Sequence, residues 1–516
     1  MNRLFLIHIW MRWLLSLTGM VAISAPKAKY ISYLISNRYK SMKTQVWLCV
    51  SGAAVLGLAA CKSKGEPVRE PAGPMNVVYI LADDLGYGDI GCYGQEKIKT
   101  PHIDQMAREG MLFTQHYAGC TVSAPSRCSL MTGLHTGHSQ IRGNKEINPE
   151  GQQPMREDTY TLGKMMKSAG YATGIFGKWG LGYPGSVSVP TRMGFDEFFG
   201  YNCQREAHSY YPDHLWHNDE KVFLHENEEE GRKVYSQDMI HEQALKFIRD
   251  NQNRPFFAML TYTLPHAELN LPHDSIYQLY ENAFEEVPYT NGGYHDSEKP
   301  YASFAAMVSR LDKYVGDVMA ELKELGLDKN TMVIFASDNG PHEEGGANPD
   351  YFKSYGPLRG IKRDVYEGGI RVPMIAWCPG KIQEGVKTDH VSAFWDVMPT
   401  FAELTGTALP EEGDGISFLP TLFSQEGQKQ HDYLYWEFHE LNGREALRAG
   451  NWKLIRQPIV GETILELYDL SQDTHEDANL AKQYPEKVKE LEALMDGART
   501  ESPLFNFGRP VAEAAK

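Results

Sequence analysis

The sequence predicts an α/β fold in which a central, mostly parallel sheet is flanked by helices, with a smaller C-terminal α+β subdomain. Three observations predict it. Runs such as Asn76–Leu81 and Thr331–Ala336 are β-prone without polar alternation, as expected of strands buried on both faces. Between such runs lie stretches of helical period; the clearest is Tyr301–Leu325, whose apolar residues at 304, 307, 308, 311, 315, 318, 319 and 322 form one stripe. Beyond residue 430 the pattern changes to short strands at Tyr433–Phe438, Ala446–Ile455 and Ile464–Leu470, with a helix from about Glu486 to Asp496.

The 516 residues carry a formal net charge of −16, from 51 basic and 67 acidic residues, which argues against a nucleic-acid partner. An anionic substrate therefore needs a local positive pocket. Seven cysteines show no C-x-x-C spacing, so neither a zinc site nor a disulfide framework is indicated.

Two apolar runs precede the folded sequence. The first, Leu4–Ser24, is interrupted by Arg12 and is a candidate N-terminal anchor. The second starts at Met42 and Lys43, has an apolar core from Val46 to Leu58, and ends in Leu58-Ala59-Ala60-Cys61, which resembles a bacterial lipoprotein signal. The expected organisation is an upstream extension over residues 1–41, a signal peptide over 42–60, a tether over 61–74, a main domain over 75–425 and a C-terminal α+β subdomain over 430–516. By that resemblance Cys61 would become the lipidated residue, anchoring the chain to a membrane of the bacterial envelope as a periplasmic or outer-membrane lipoprotein.

In chain order, the first strand ends at Asp83-Asp84, placing two carboxylates at a strand's carboxyl end, where open α/β sheets bind ligands. Thr100-Pro101 opens a helix to about Gly110, with Met106 inward. Ser123-Ala124-Pro125-Ser126-Arg127 then reads as a helix start, so an oxyanion beside Ser123 meets unpaired backbone N–H groups and the positive end of a helix dipole. A helix over Tyr160–Ser168 leads to a strand at Tyr171–Phe176 that delivers Gly177-Lys178-Trp179. The segment Gly194–Tyr211 is dense in aromatics and includes Arg205 and His208. A helix over Ser236–Asn251, with Met239, Leu245 and Ile248 on one face, precedes a strand at Pro255–Thr263 ending in Leu264-Pro265-His266. The strand Thr331–Ala336 presents Ser337-Asp338-Asn339-Gly340, and Leu358-Arg359-Gly360-Ile361-Lys362 follows. The Asp83-Asp84 pair with Asp338 and Asn339 offers four oxygen ligands, which suit a hard cation such as calcium better than zinc.

Several of these stretches together resemble the formylglycine-dependent sulfatases of the alkaline-phosphatase-like superfamily: D-D-x-G-x-x-D from Asp83 to Asp89, S-x-P-S-R from Ser123 with L-x-T-G ending at Gly133, G-Y-x-T-x-x-x-G-K-W ending at Trp179, Pro265-His266, Asp338-Asn339-Gly340 and the late E-L-Y-D-L at Glu466–Leu470. The residue two before Pro125 is Ser123, so the chain resembles the serine-type members. One position departs: where the family continues G-K-W with His, this chain has Gly180. The resemblance implies that Ser123 is oxidised to formylglycine by an anaerobic-type sulfatase-maturing enzyme and joins Asp83, Asp84, Asp338 and Asn339 around Ca2+. It also implies that Arg127 steadies the nucleophile, Lys178 and Lys362 bind the sulfuryl oxygens, and His266 protonates the leaving alcohol. The Gln204–Pro212 pattern, Q-x-x-A-H-x-Y-Y-P, resembles a subgroup of bacterial carbohydrate sulfatases. It implies that Arg205 and His208 touch a sulfated sugar of a host or algal glycan, such as galactose or N-acetylgalactosamine sulfated at O4. The rival readings are a phosphatase or phosphodiesterase of the same superfamily and a glycan-binding lipoprotein without turnover.

Overall fold

The computed structural model describes residues 74–410 and 413–508, so the expected leader segments, Cys61 and the tether up to residue 73 lie outside the described residues. Among the described residues no helix is long and apolar enough to cross a membrane. The first strands are β1 (Asn76–Asp83), β2 (Met111–Tyr117), β3 (Ala172–Lys178), β4 (Glu197–Tyr201), β5 (His214–His217) and β6 (Glu220–Phe223). They are followed by β7 (Phe256–Pro265), β8 (Thr331–Ser337), β9 (Arg371–Trp377), β10 (Val386–Thr388) and β11 (Ser392–Ala393). They form one sheet in the order β10-β2-β9-β8-β1-β7-β3-β4-β5-β6, with β11 also paired to β2. The five central strands, β8 to β4, are parallel, and antiparallel pairs lie outside them.

The missing polar alternation in β1 has its cause in two cores, one on each face. Val78 and Ile80 point to one face with Ala258, Leu260, Val333 and Phe335, against the helices α1 (Pro101–Arg108), and, further along the chain, Ser236–Asp250 and Pro300–Glu324. Val77, Tyr79 and Leu81 point to the other with Phe257, Met259, Met332 and Ile334, against α2 (Ser123–Thr132), α3 (Leu162–Ser168) and Val397–Thr405. All eight residues of the predicted stripe on Pro300–Glu324 are buried. On Ser236–Asp250, Leu245 and Ile248 are buried as expected, but Met239 is only half-buried, because the packed face is centred on Ile240, Ala244 and Phe247.

The C-terminal part holds a second sheet, of β12 (Leu434–Phe438), β13 (Arg444–Ala449), β14 (Trp452–Gln457) and β15 (Ile464–Asp469), antiparallel throughout. The single strand expected over Ala446–Ile455 is a hairpin instead: Gly450 adopts φ +58°, and Ala449 pairs with Trp452. Period-2 alternation sends Leu434, Trp436 and Phe438 toward the main domain, and Tyr435, Leu447, Leu454 and Leu467 toward the helix Pro485–Gly497. The first group packs on Tyr117, Val122 and Ile370, so the second sheet covers the chain around α2.

Polar ties cross the same seam. Trp436 Nε1 donates to the Ala118 carbonyl (2.9 Å), and the Glu437 N–H to Thr136 Oγ1 (2.8 Å). Lys453, fully buried, lies 3.0 Å from Glu367 and 2.8 Å from Glu476. Burial, reinforced by the charge of Glu367, raises the Glu476 pKa against the pull of Lys453. The folded state therefore holds a proton that the unfolded chain releases at an ordinary carboxylate pH. That contribution to stability is complete below the unfolded pKa and is lost as pH rises through the folded one. Glu476→Gln is thus expected to gain on the wild type in thermal melts as the pH rises from roughly 5 to 8, by about 1–3 kcal/mol.

Candidate active site

Strand register collects the polar residues at one edge of the sheet. Ala82 lies beside Ser337 and Asp83 beside Pro265, so Asp83-Asp84, Asp338-Asn339 and His266 emerge together from β1, β8 and β7. On β3, Gly177 faces Thr261 of β7, and Lys178 comes next. The approach at Gly177 is close, since a Cβ there would stand 2.0 Å from the Thr261 carbonyl oxygen. Asp84 takes φ +61°, an uncommon conformation for a residue with a side chain, and one that recurs at functional sites.

Ser123 is the first residue of α2, whose ten residues are all buried. Its hydroxyl donates to Asp83 Oδ1 (3.1 Å) and accepts from Lys178 Nζ (3.3 Å). Lys178 also donates to Asp83 Oδ2 (2.6 Å). Arg127, one turn into the helix, reaches Asp338 Oδ2 through Nε (3.0 Å) and lies 3.3 Å from Asp83 Oδ2. Burial alone would raise the Asp83 pKa, but Lys178 and Arg127 outweigh it and hold this carboxyl well below the usual range. Burial lowers the Lys178 pKa despite Asp83, and burial together with Asp83 raises that of Asp338.

Beyond Ser123 itself, the expected backbone donors at this helix start are not free. Pro125 has no N–H, the Ala124 N–H donates to Asn144 Oδ1 (3.1 Å) and the Ser126 N–H to the Val122 carbonyl (3.3 Å). An anion beside Ser123 is met by side-chain cations and the helix dipole instead.

A second group adjoins the first. Lys362 Nζ donates to Asp84 Oδ2 (2.8 Å) and Glu344 Oε2 (3.1 Å) and lies 3.1 Å from His266 Nε2. Burial opposes the Lys362 ammonium, but Asp84 and Glu344 more than offset it and raise its pKa. Burial, then Lys362, drives the His266 pKa well below its ordinary value. His208 stacks on His266 with ring centroids 4.7 Å apart, and burial beside that ring pushes its own pKa down to about 2. Arg363 and Tyr294 complete the rim, both bonded to Glu344 (2.6 and 3.1 Å).

Asp83, Asp84, Asp338 and Asn339 fit a hard cation by a structural criterion as well as by donor type. Asn339 Nδ2 is engaged by Asp84 Oδ1 (2.6 Å), but its Oδ1 is buried without a hydrogen-bond partner, an oxygen in search of a ligand.

A family model described as Sulfatase matches residues 75–407, and one described as N-sulphoglucosamine sulphohydrolase, C-terminal, matches residues 361–501. The chain belongs to the sulfatase family. It is 28% identical over 517 residues to the N-acetylgalactosamine-6-O-sulfatase of Bacteroides thetaiotaomicron, covering 85% of this chain and 95% of that protein. It is 30% identical over 476 residues to arylsulfatase A of Bos taurus, covering 84% and 90%. The crystal structure of Ps i-CgsB in complex with k-i-k-neocarrahexaose superposes with a TM-score of 0.69 at 28% identity, covering 82% of this chain and 92% of that one. The protein is therefore a sulfuric ester hydrolase with the alkaline-phosphatase-like fold.

This sulfatase brings together Asp83, Asp84, Ser123, Arg127, Lys178, His266, Asp338, Asn339 and Lys362, with His208 against them. Arg205 is placed elsewhere: it is half-exposed and bonds Asn148 and the Pro149 carbonyl, away from the cluster. Phe195, Phe198, Phe199, Tyr201 and Tyr210 of the aromatic segment are core. Glu344, His342 and Tyr294 were not anticipated. Pro341-His342-Glu343-Glu344 directly follows Asp338-Asn339-Gly340, so its place after a strand end was the available signal. The described cysteines are all unpaired.

Proposed function

We propose that this sulfatase removes sulfate from a galactose or N-acetylgalactosamine unit of a host or algal glycan, with oxidised Ser123 as nucleophile and Ca2+ in the cluster of Asp83, Asp84, Asp338 and Asn339. The observation that carries the reading is the position of Ser123 Oγ, between the Asp83 carboxylate and the Lys178 ammonium at the start of a buried helix. As formylglycine hydrate, residue 123 supplies two hydroxyls, one to attack sulfur and one through which the enzyme is freed afterwards. Asp83, Asp84, Asp338 and Asn339 would hold the cation, which would supply Lewis-acid stabilisation of negative charge in the site.

The other groups act on charge and protons. Lys178 and Lys362, which here balance Asp83 and Asp84, turn to the sulfuryl oxygens and stabilise the charge they carry in the transition state. Arg127 holds Asp338 and Asp83 in place, and Glu344 fixes the Lys362 ammonium. His266 Nε2, 3.1 Å from Lys362, protonates the leaving oxygen in this reading; burial and then Lys362 depress its pKa, and the anionic ester between the two lysines offsets the second of these. His208 packs beside it and faces the sugar.

The relatives support a galacto-configured sugar: the Bacteroides protein is named for O6 of N-acetylgalactosamine, and Ps i-CgsB was solved with k-i-k-neocarrahexaose. The Gln204–Pro212 pattern favours O4. Lipidation at Cys61 and an envelope location belong to the same proposal and rest on the Leu58–Cys61 motif.

The test is sulfate release from a panel of O4- and O6-sulfated galactose and N-acetylgalactosamine saccharides, using protein matured by a serine-type maturing enzyme. Release from one regioisomer names the position, and no release from any by fully oxidised protein sinks the reading. Stripping the cation with a chelator is expected to lower kcat by at least ~100-fold, recovered by Ca2+ and not by Zn2+, in the same assay.

A further inference from the structure

Gly180 stands two residues beyond Lys178, at the position where the chain departs from the family's His. Its φ of +72° favours glycine, and a Cβ there would meet Gln204 Nε2 at 2.8 Å and Cδ at 3.2 Å. Gln204 therefore fills the space that a side chain at 180 would enter. The two are brought together because the β3–β4 pairing continues past both strand ends. The Trp179 N–H donates to the Tyr201 carbonyl (2.9 Å), and the Gly180 N–H to the Asn202 carbonyl (3.1 Å). Gln204 thus follows the carboxyl end of β4, with Lys178 ending the neighbouring strand and His208 four residues further on, stacked on His266.

The state of its amide is unusual. Gln204 is only 6% exposed, yet Nε2 is buried without a hydrogen-bond partner among the described residues. Buried amides are nearly always paired, because an unpaired one keeps its desolvation cost. A donor left open at the catalytic end of the sheet is explained by an acceptor that the serine form of the protein lacks.

We propose that Gln204 is a catalytic residue whose Nε2 hydrogen-bonds an oxygen of the oxidised residue 123, the contact left open by the glycine at 180. The inference rests on the sulfatase reading with Ser123 oxidised. A primary amide suits the task chemically, since it donates a hydrogen bond at every working pH and adds no titration of its own, whereas an imidazole changes charge near neutrality.

Gln204→Met keeps the side-chain volume and removes the amide. As Nε2 bonds nothing while residue 123 is serine, the unoxidised variant is expected to melt no lower than the unoxidised wild type, while kcat of the oxidised variant falls ~100-fold on an aryl sulfate and on a sugar sulfate alike. A second readout needs no substrate. A hydrazide probe condenses with the free aldehyde, and losing a hydrogen bond to the hydrate speeds labelling of the variant, by about tenfold. An unchanged kcat overturns the proposal, as does a loss confined to the sugar sulfate, which assigns the amide to the sugar. A lower melting temperature with an unchanged labelling rate overturns it too, in favour of a packing role. Oxidised wild-type protein that takes the hydrazide but cleaves neither ester defeats the sulfatase reading alone, and the labelling comparison then still decides the role of Gln204.

Discussion

Sulfate release by Ser123→Ala is expected to lie at least ~10⁴-fold below that of the wild type, with the fold intact. The substitution deletes one oxygen, and that oxygen is the one placed 3.1 Å from Asp83 and 3.3 Å from Lys178. No neighbour can replace it. Ser126 Oγ is committed to the Asp338 carbonyl (2.5 Å) and the Gly119 N–H (3.0 Å), and the Cys120 thiol is turned to the Glu437 carbonyl (3.5 Å). Burial also pushes the Cys120 thiol up to about 12 and that of Cys128 to about 11, so neither is a thiolate at neutral pH. Stability should change by about 1–2 kcal/mol at most, as the two buried hydrogen bonds lost leave Asp83 and Lys178 still paired with each other. Ion chromatography of released sulfate, with a thermal melt beside it, checks both halves. Substantial residual release would move the nucleophile away from this helix.

Lys178→Ala is expected to lower kcat/KM by about 10³-fold, at the upper end for removal of one buried donor to developing negative charge. The amine is 1% exposed and has Asp83 and Ser123 within reach, so its loss touches the nucleophile, the carboxylate and the sulfuryl oxygens together. Lys178→Arg should not restore the rate. A planar guanidinium needs more room than this packed site has, and Arg127 already lies 3.3 Å from Asp83. A steady-state comparison of the two variants, with oxidation of residue 123 verified by mass spectrometry, separates loss of charge from loss of geometry. Arginine activity near that of wild type would show that charge alone suffices.

The features legible in the sequence share one property: each sits within a few residues of a strand end. Asp83-Asp84, Lys178, His266 and Asp338-Asn339 follow runs whose unbroken apolar character announces a buried strand, and parallel register then brings the ends into line. The hairpin at Gly450 was legible but missed: Gly450-Asn451 is a two-residue turn signal between Ala446–Ala449 and Trp452–Ile455, and reading the two as one strand passed over it. Arg205 and Gln204 are adjacent in sequence, yet one turns to Pro149 and the other lies against Gly180. Local pattern cannot separate them, as the difference arises only when β4 docks on β3. Glu344 likewise acquires its place from partners on distant segments, Lys362, Arg363 and Tyr294.

The second sheet has a consequence for chronology. It packs Trp436 and its neighbours beside the chain that leads into α2, in a protein whose Ser123 is only 3% exposed. Another enzyme's reactive centre cannot approach a hydroxyl so enclosed. A separate enzyme acting on that side chain would therefore have to meet the chain before this enclosure forms.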